Sequence, residues 1–146
     1  MVIILKTFYI FNLNKSTHIL AKKNSYNIYL LLSTIYNQNK INIISAYNLF
    51  NEICNPINKE FYNVYLYDKL KDNEYYTKYR NIHMYNDYMN DEISKLTIMN
   101  THIKIKSNKE DNIFITTIYD LDNLFICDFK NDYFNYLINK SKIKVK

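Results

Sequence analysis

The sequence predicts an α+β fold: a small antiparallel sheet packed against two or more helices. Three observations predict it. Residues 98–129 read as a meander, in which Ile103 and Ile105 alternate with His102, Lys104 and Lys106, so one strand face is apolar and the other basic. Residues 25–37 place Ile28, Leu31, Leu32 and Ile35 at helical spacing. The 146-residue chain is 48% apolar and 23% charged, enough to bury a core without disulfides or metals, so residues 1–146 are expected to form a single domain.

In chain order, residues 2–11 are rich in β-branched and aromatic side chains. Asn12-Leu13-Asn14-Lys15 would turn them into a second short strand at 17–21, making an N-terminal hairpin. The predicted central helix at 25–37 is capped by Asn24 or Ser25. A second helix at 43–54 sets Ile43, Ala46, Tyr47, Phe50, Ile53 and Cys54 on one stripe and ends at Asn55-Pro56. These two helices resemble the start of a helix-turn-helix. Asn48, Asn51 and Glu52 on the second helix's outward side supply no Arg or Lys for base contacts, so the pair reads as packing.

Residues 60–71 fit a helix or a strand, and 91–99 fit a helix with Ile93 and Leu96 inward and Asn90 as cap. Strands at 101–106 and 113–119 are expected to pair across the polar loop 107–112, and a turn at 120–123 leads into a third strand, LFICDF. Residues 130–139 would close the chain as a short helix. Residues 140–146 follow as a basic edge strand or a loose tail.

The chain has no Gly, 16 Tyr and a single Arg among 19 basic residues. Asn, Lys, Ile, Tyr and Phe share A/T-rich codons, so this composition is expected from an AT-rich genome. Turns that need φ > 0 must then use Asn or Asp. Charge is unevenly spread: residues 1–59 carry +5, residues 60–139 carry −4 and residues 140–146 carry +4. Basic ends suit an anionic partner. Cys54 and Cys127 belong to no C-x-x-C and are expected to be free buried thiols. The apolar start MVIILKTFYIF is interrupted by Lys6 and too short to span a bilayer, so no membrane insertion is expected and the cytoplasm, or the nucleus, is the expected location.

Without Gly, no P-loop, Rossmann fingerprint, kinase Gly-rich loop or G-x-S-x-G elbow can be written in this chain. His18, His83 and His102 are scattered without metal-ligand spacing, and Asp120, Asp122 and Asp128 read as turn residues. No catalytic residue, metal site or cofactor is therefore expected, and the chain reads as a non-enzymatic protein.

Two constellations suit nucleic acid. In the first, Lys69, Lys71, Lys78 and Arg80 interleave with Tyr75, Tyr76, Tyr79, Tyr85 and Tyr88. Bases stack on tyrosine while cations follow phosphate. The second pairs Lys104 and Lys106 on one strand face with Lys142, Lys144 and Lys146 in the tail, point charges that suffice for phosphate contact. Together they predict an RNA- or ribonucleoprotein-binding accessory protein, with a ribosome-associated, dormancy-type factor as one form.

A second reading comes from element order. KTFYIFNLNKSTHIL resembles the opening hairpin, and THIKIKSNKEDNIFITTIYD the later one, of the longin-type small subunits of vesicle-tethering and coat complexes. That resemblance implies a small adaptor whose partner is another protein of a complex, with the basic charge incidental.

Overall fold

The computed structural model describes residues 4–38, 40–121 and 123–137. Its elements are β1 (Lys6–Leu13), α1 (Lys15–Lys23), α2 (Ser25–Gln38), α3 (Ile43–Ile53), β2 (Cys54–Asn55) and α4 (Lys59–Leu70). They continue as β3 (Tyr76–Tyr79), β4 (Ile82–Asp87), β5 (Glu92–Ile98), β6 (Ile103–Ser107), α5 (Ile113–Ile118), β7 (Leu124–Asp128) and β8 (Tyr133–Leu137). All strand pairs are antiparallel, and the 8-stranded sheet runs β3-β4-β5-β6-β1-β7-β8, with β2 added beside β1. The fold class is α+β, with helices packed against a sheet.

Because side chains alternate along a strand, each strand serves two faces. On one face Phe8, Ile10, Leu96, Ile98, Ile103 and Ile105 meet Leu66 of α4 and Phe114 and Ile118 of α5. On the other, Phe11, Phe125 and Cys127 lie with Ile28 and Leu32 of α2 and Ala46 and Phe50 of α3. The second layer of helices covers only the β1, β7 and β8 part of its face. Across β4, β5 and β6 that face stays open, with Met84, Lys95 and Lys106 exposed.

Asparagine starts every helix among the described residues. Oδ1 of Asn14, Asn24, Asn42, Asn58 and Asn112 accepts the amide three residues on, at 2.9–3.2 Å. Among the described residues four take positive φ: Arg80, Asp91, Asn123 and Asp132. Three of the four are Asn or Asp, as a chain without Gly requires. Two hairpins share one turn. Asp87 accepts from Asn90 N and Nδ2 at 3.2 and 2.7 Å, and Asp128 accepts from Asn131 at the same distances. Asp91 and Asp132 then take the left-handed position.

Several elements differ from expectation. Residues 17–21 lie in α1, not in a strand, because Asn14 caps a helix there and Lys22 and Lys23 sit in its last turn, where cations favour the dipole. There is no opening hairpin; β1 pairs instead with β2, β6 and β7. Residues 113–118 are α5, not a strand. The amides of Ile113 and Ile115 are held by Glu92 and Asn112, and the Thr116 and Thr117 hydroxyls bond back to the carbonyls of Asn112 and Ile113. Phe114 and Ile118, one turn apart, fill the core. The partners of residues 103–107 are therefore β5 and β1.

The helix expected at 91–99 is β5, where Ser94, Leu96 and Ile98 are buried at every second position. Within 130–139, residues 133–137 form β8 against β7, because the Asp128 turn folds the chain back. Residues 60–71 resolve as α4. On α3 the inward stripe is Ala46 and Phe50, whereas Ile43 and Tyr47 point outward. The expected tail at 140–146 lies outside the described residues.

Candidate nucleic-acid interface

The open part of the sheet carries two cross-strand rows. Register pairs Thr77 with Met84, Met84 with Lys95, Lys95 with Lys106 and Lys106 with Thr7. One step along, it pairs Tyr79 with Ile82, Ile82 with Thr97, Thr97 with Lys104 and Lys104 with Tyr9. Neither row contains a carboxylate. Two lysines directly opposite one another on neighbouring strands repel, and nothing in their row offsets it. Such a face is relieved by an external anion. Lys104 adds a third cation, with Nζ 5.9 Å above the Tyr9 ring.

Arg80 borders the second row at the tip of the β3–β4 hairpin. The only arginine of the chain takes φ 54°, a region where Asn or Gly is cheaper. Its guanidinium lies 5.3 Å over the ring of Tyr79, which is 67% exposed. Arginine and tyrosine thus form a ready stacking pair at the margin of the lysine rows. Below them a shallow cleft is lined by Lys59, Asn81, Thr97 and Asn100 among others.

Not all the anticipated residues meet here. Lys104, Lys106, Tyr79 and Arg80 do. Tyr75 is half-buried, its ring edge-on to Tyr85, and Tyr76 is buried with its hydroxyl 2.7 Å from His83 Nδ1. Both therefore belong to packing on the α4 side. Lys78 faces that side too, lining a cleft with Asn63, Val64, Tyr67 and Asp68. Lys69 and Lys71 stand at the end of α4, Lys69 Nζ 5.6 Å over the Tyr65 ring. Tyr88 is exposed at the β4–β5 turn. Lys142, Lys144 and Lys146 lie outside the described residues. The aromatic-basic segment is thus divided between the two faces of the sheet.

Lys95 was the residue missed, because residues 91–99 read as a helix. The signal was the alternation in Glu92-Ile93-Ser94-Lys95-Leu96-Thr97-Ile98, which as a strand sets Lys95 and Thr97 beside Lys106 and Lys104.

Both cysteines and the serines of β5 and β6 are buried in packing. Burial pushes the Cys54 thiol up to about 12 and the Cys127 thiol higher, and both are free. Ser94 and Ser107 are buried and bonded to each other at 2.7 Å, and Ser94 donates to Glu92 at 2.8 Å. That carboxylate is committed to the start of α5. Among the described residues no group of His, Cys, Asp or Glu is placed to hold a metal, and no helix is long and apolar enough to cross a membrane.

No protein-family model matches the chain, and no curated protein matches its sequence.

Proposed function

We propose that this is a non-enzymatic RNA-binding accessory protein that lays a single-stranded or looped RNA segment across the open sheet face. The observation that carries this reading is the direct opposition of Lys95 and Lys106, with Lys104 alongside, on a face whose two rows hold no carboxylate. The Tyr79–Arg80 pair supplies stacking at its margin. A ribonucleoprotein such as the ribosome, in the cytoplasm, is the proposed setting.

Binding of a fluorescent single-stranded RNA tests the reading. Three or four phosphate contacts imply a loss of roughly 20- to 50-fold in affinity between about 50 and 200 mM salt. Replacing Lys104 and Lys106 together with Glu should flatten that dependence and leave the fold intact. Co-sedimentation with ribosomes should follow the same salt trend.

The longin-type adaptor is the second reading. It draws support from the apolar side chains exposed at the start of α3, Ile41, Ile43, Ile44 and Tyr47. Of the two hairpins behind that resemblance, the first places residues 17–21 in α1 and the second places residues 113–118 in α5. Salt-insensitive association with a purified protein, and none with RNA or ribosomes, would establish it over the RNA reading.

A further inference from the structure

Beyond Lys104 the sheet face runs into a groove between α2, α3 and the start of β6. His102, Lys104 and Lys106 follow one another on the same side of one extended segment, at a repeat of roughly 6.6 Å. His102 and Phe11 line the groove's sheet side, Tyr36 comes from α2, Tyr47 and Phe50 come from α3, and Thr101 stands next to His102. Its volume is about 200 Å³. A cavity of about 150 Å³ is enough for one benzene ring, so this one admits a single planar heterocycle.

The chemistry around the groove favours a nucleobase over an apolar side chain from a protein. Tyr9 joins the groove to the lysine rows, its ring 5.2 Å from Tyr36 and 5.4 Å from His102, with Lys104 above it. A second cation, Lys40, stands 4.7 Å over the Tyr36 ring. No carboxylate lines the groove. His102 and the Thr101 hydroxyl, 2.8 Å apart, are polar groups at its wall within reach of a base edge. Tyr47 lines the groove and is 58% exposed, which leaves its ring accessible to a ligand there.

We propose that this groove receives one unpaired nucleobase of the RNA whose phosphates Lys104 and Lys106 hold, an inference that rests on the RNA reading above. The base enters between Tyr36, Tyr47 and His102, and the strand leaves along β6.

Amide-resolved NMR of the isotopically labelled protein tests it with four ligands: adenosine 5′-monophosphate, ribose 5-phosphate, phenol and an oligoadenylate. Saturable shifts at Ala46, Tyr47, Thr101 and His102 with the mononucleotide, at least tenfold weaker with ribose phosphate and phenol, are expected. Tyr47→Ala should weaken the mononucleotide severalfold, and the same spectra report whether the variant is folded. If the oligoadenylate shifts only β4 to β6 and the groove stays silent, the groove inference falls while the sheet reading stands. Phenol binding as tightly as the nucleotide marks a general apolar docking site and overturns it. If neither nucleotide ligand shifts any amide, both readings fall.

Discussion

The hydroxyl of Tyr76 and Nδ1 of His83 lie 2.7 Å apart, buried beneath α4. His83 Nε2 in turn donates to Asn63 Oδ1 at 2.8 Å, and Asn63 Nδ2 donates to Asn81 Oδ1 at 2.8 Å. The chain of donors assigns the neutral tautomer with its proton on Nε2. Burial, then the Lys78 charge, lowers His83 to about 4, and burial, then Lys104, lowers His102 to about 4.

Acid should therefore destabilise the fold through these two rings. Unfolded histidine titrates near 6.5, so between about pH 6.5 and 4 the unfolded chain binds more protons than the folded one. Stability is fully present above that window and falls as pH drops through it. Denaturant melts at neutral and mildly acidic pH should show this slope. His83→Phe should reduce it.

The lysine rows predict opposite effects of salt on folding and on binding. Screening relieves the Lys95–Lys106 repulsion, so the melting temperature should rise with added salt while RNA affinity falls. Lys106→Glu converts the like pair into an opposite one and should add about 0.2–1 kcal/mol to stability. The same variant should bind RNA more weakly. Calorimetry and RNA titration on one preparation check both signs.

Adjacent leucines on α2 should behave differently. Leu32 is 0% exposed and Leu31 is 42% exposed. Leu32→Ala should cost about 2–5 kcal/mol by removing packing against β1 and β7. Leu31→Ala should change stability by about 0.5 kcal/mol or less. Chemical denaturation distinguishes them.

Asn112 caps α5 from a fully buried position, and its Nδ2 also donates to the Lys109 carbonyl at 3.0 Å. Asn112→Ala should cost about 1–2 kcal/mol, the upper part of the range for a lost cap. Asn24→Ala, at an exposed cap, should cost about 0.5 kcal/mol. Urea midpoints read the difference.

Helices α2 and α3 and the strands β1, β6 and β7 were legible from their apolar patterns, although Leu31, Ile43 and Tyr47 of those patterns are exposed. Helix α4 stayed open between helix and strand because its residues suit both. Helix α5 was not legible. Ile113-Phe114-Ile115-Thr116-Thr117-Ile118 has the composition of a strand, and its helicity comes from a buried cap, a carboxylate from β5 and back-bonded threonines. No local pattern carries those contacts. Strand β8 is another matter. Asp87-Tyr88-Met89-Asn90-Asp91 and Asp128-Phe129-Lys130-Asn131-Asp132 share Asp, aromatic, any residue, Asn, Asp, a repeated hairpin signature visible in the letters alone. Reading it as a turn would have set both β5 and β8 as strands, and with β5 the position of Lys95.

The basic site was half legible for a related reason. Residues 60–139 are acidic in sum, yet they hold the facing Lys95 and Lys106 with Lys104 alongside. Many of the acids go to turns and helix starts, such as Asp87, Asp91, Asp128 and Glu92, while the strand lysines collect on one side. Net charge along the chain averages over what folding separates.

Asparagine as punctuation has a further consequence, for how the protein ages. Asparagine decays when the amide nitrogen of the next residue attacks its side-chain carbonyl, forming a succinimide that opens to aspartate or isoaspartate. Attack is easiest when that next residue is glycine, which has no Cβ in the way. This chain has no glycine, so a Cβ or a proline ring follows each of its asparagines. At the five caps the side-chain oxygen is also held by an amide three residues on, and the attacking nitrogen belongs to the first residue of a helix. Cyclisation there requires the first turn to unwind. The residue that replaces glycine in the turns is thereby shielded, by glycine's absence, from its own most common chemical decay.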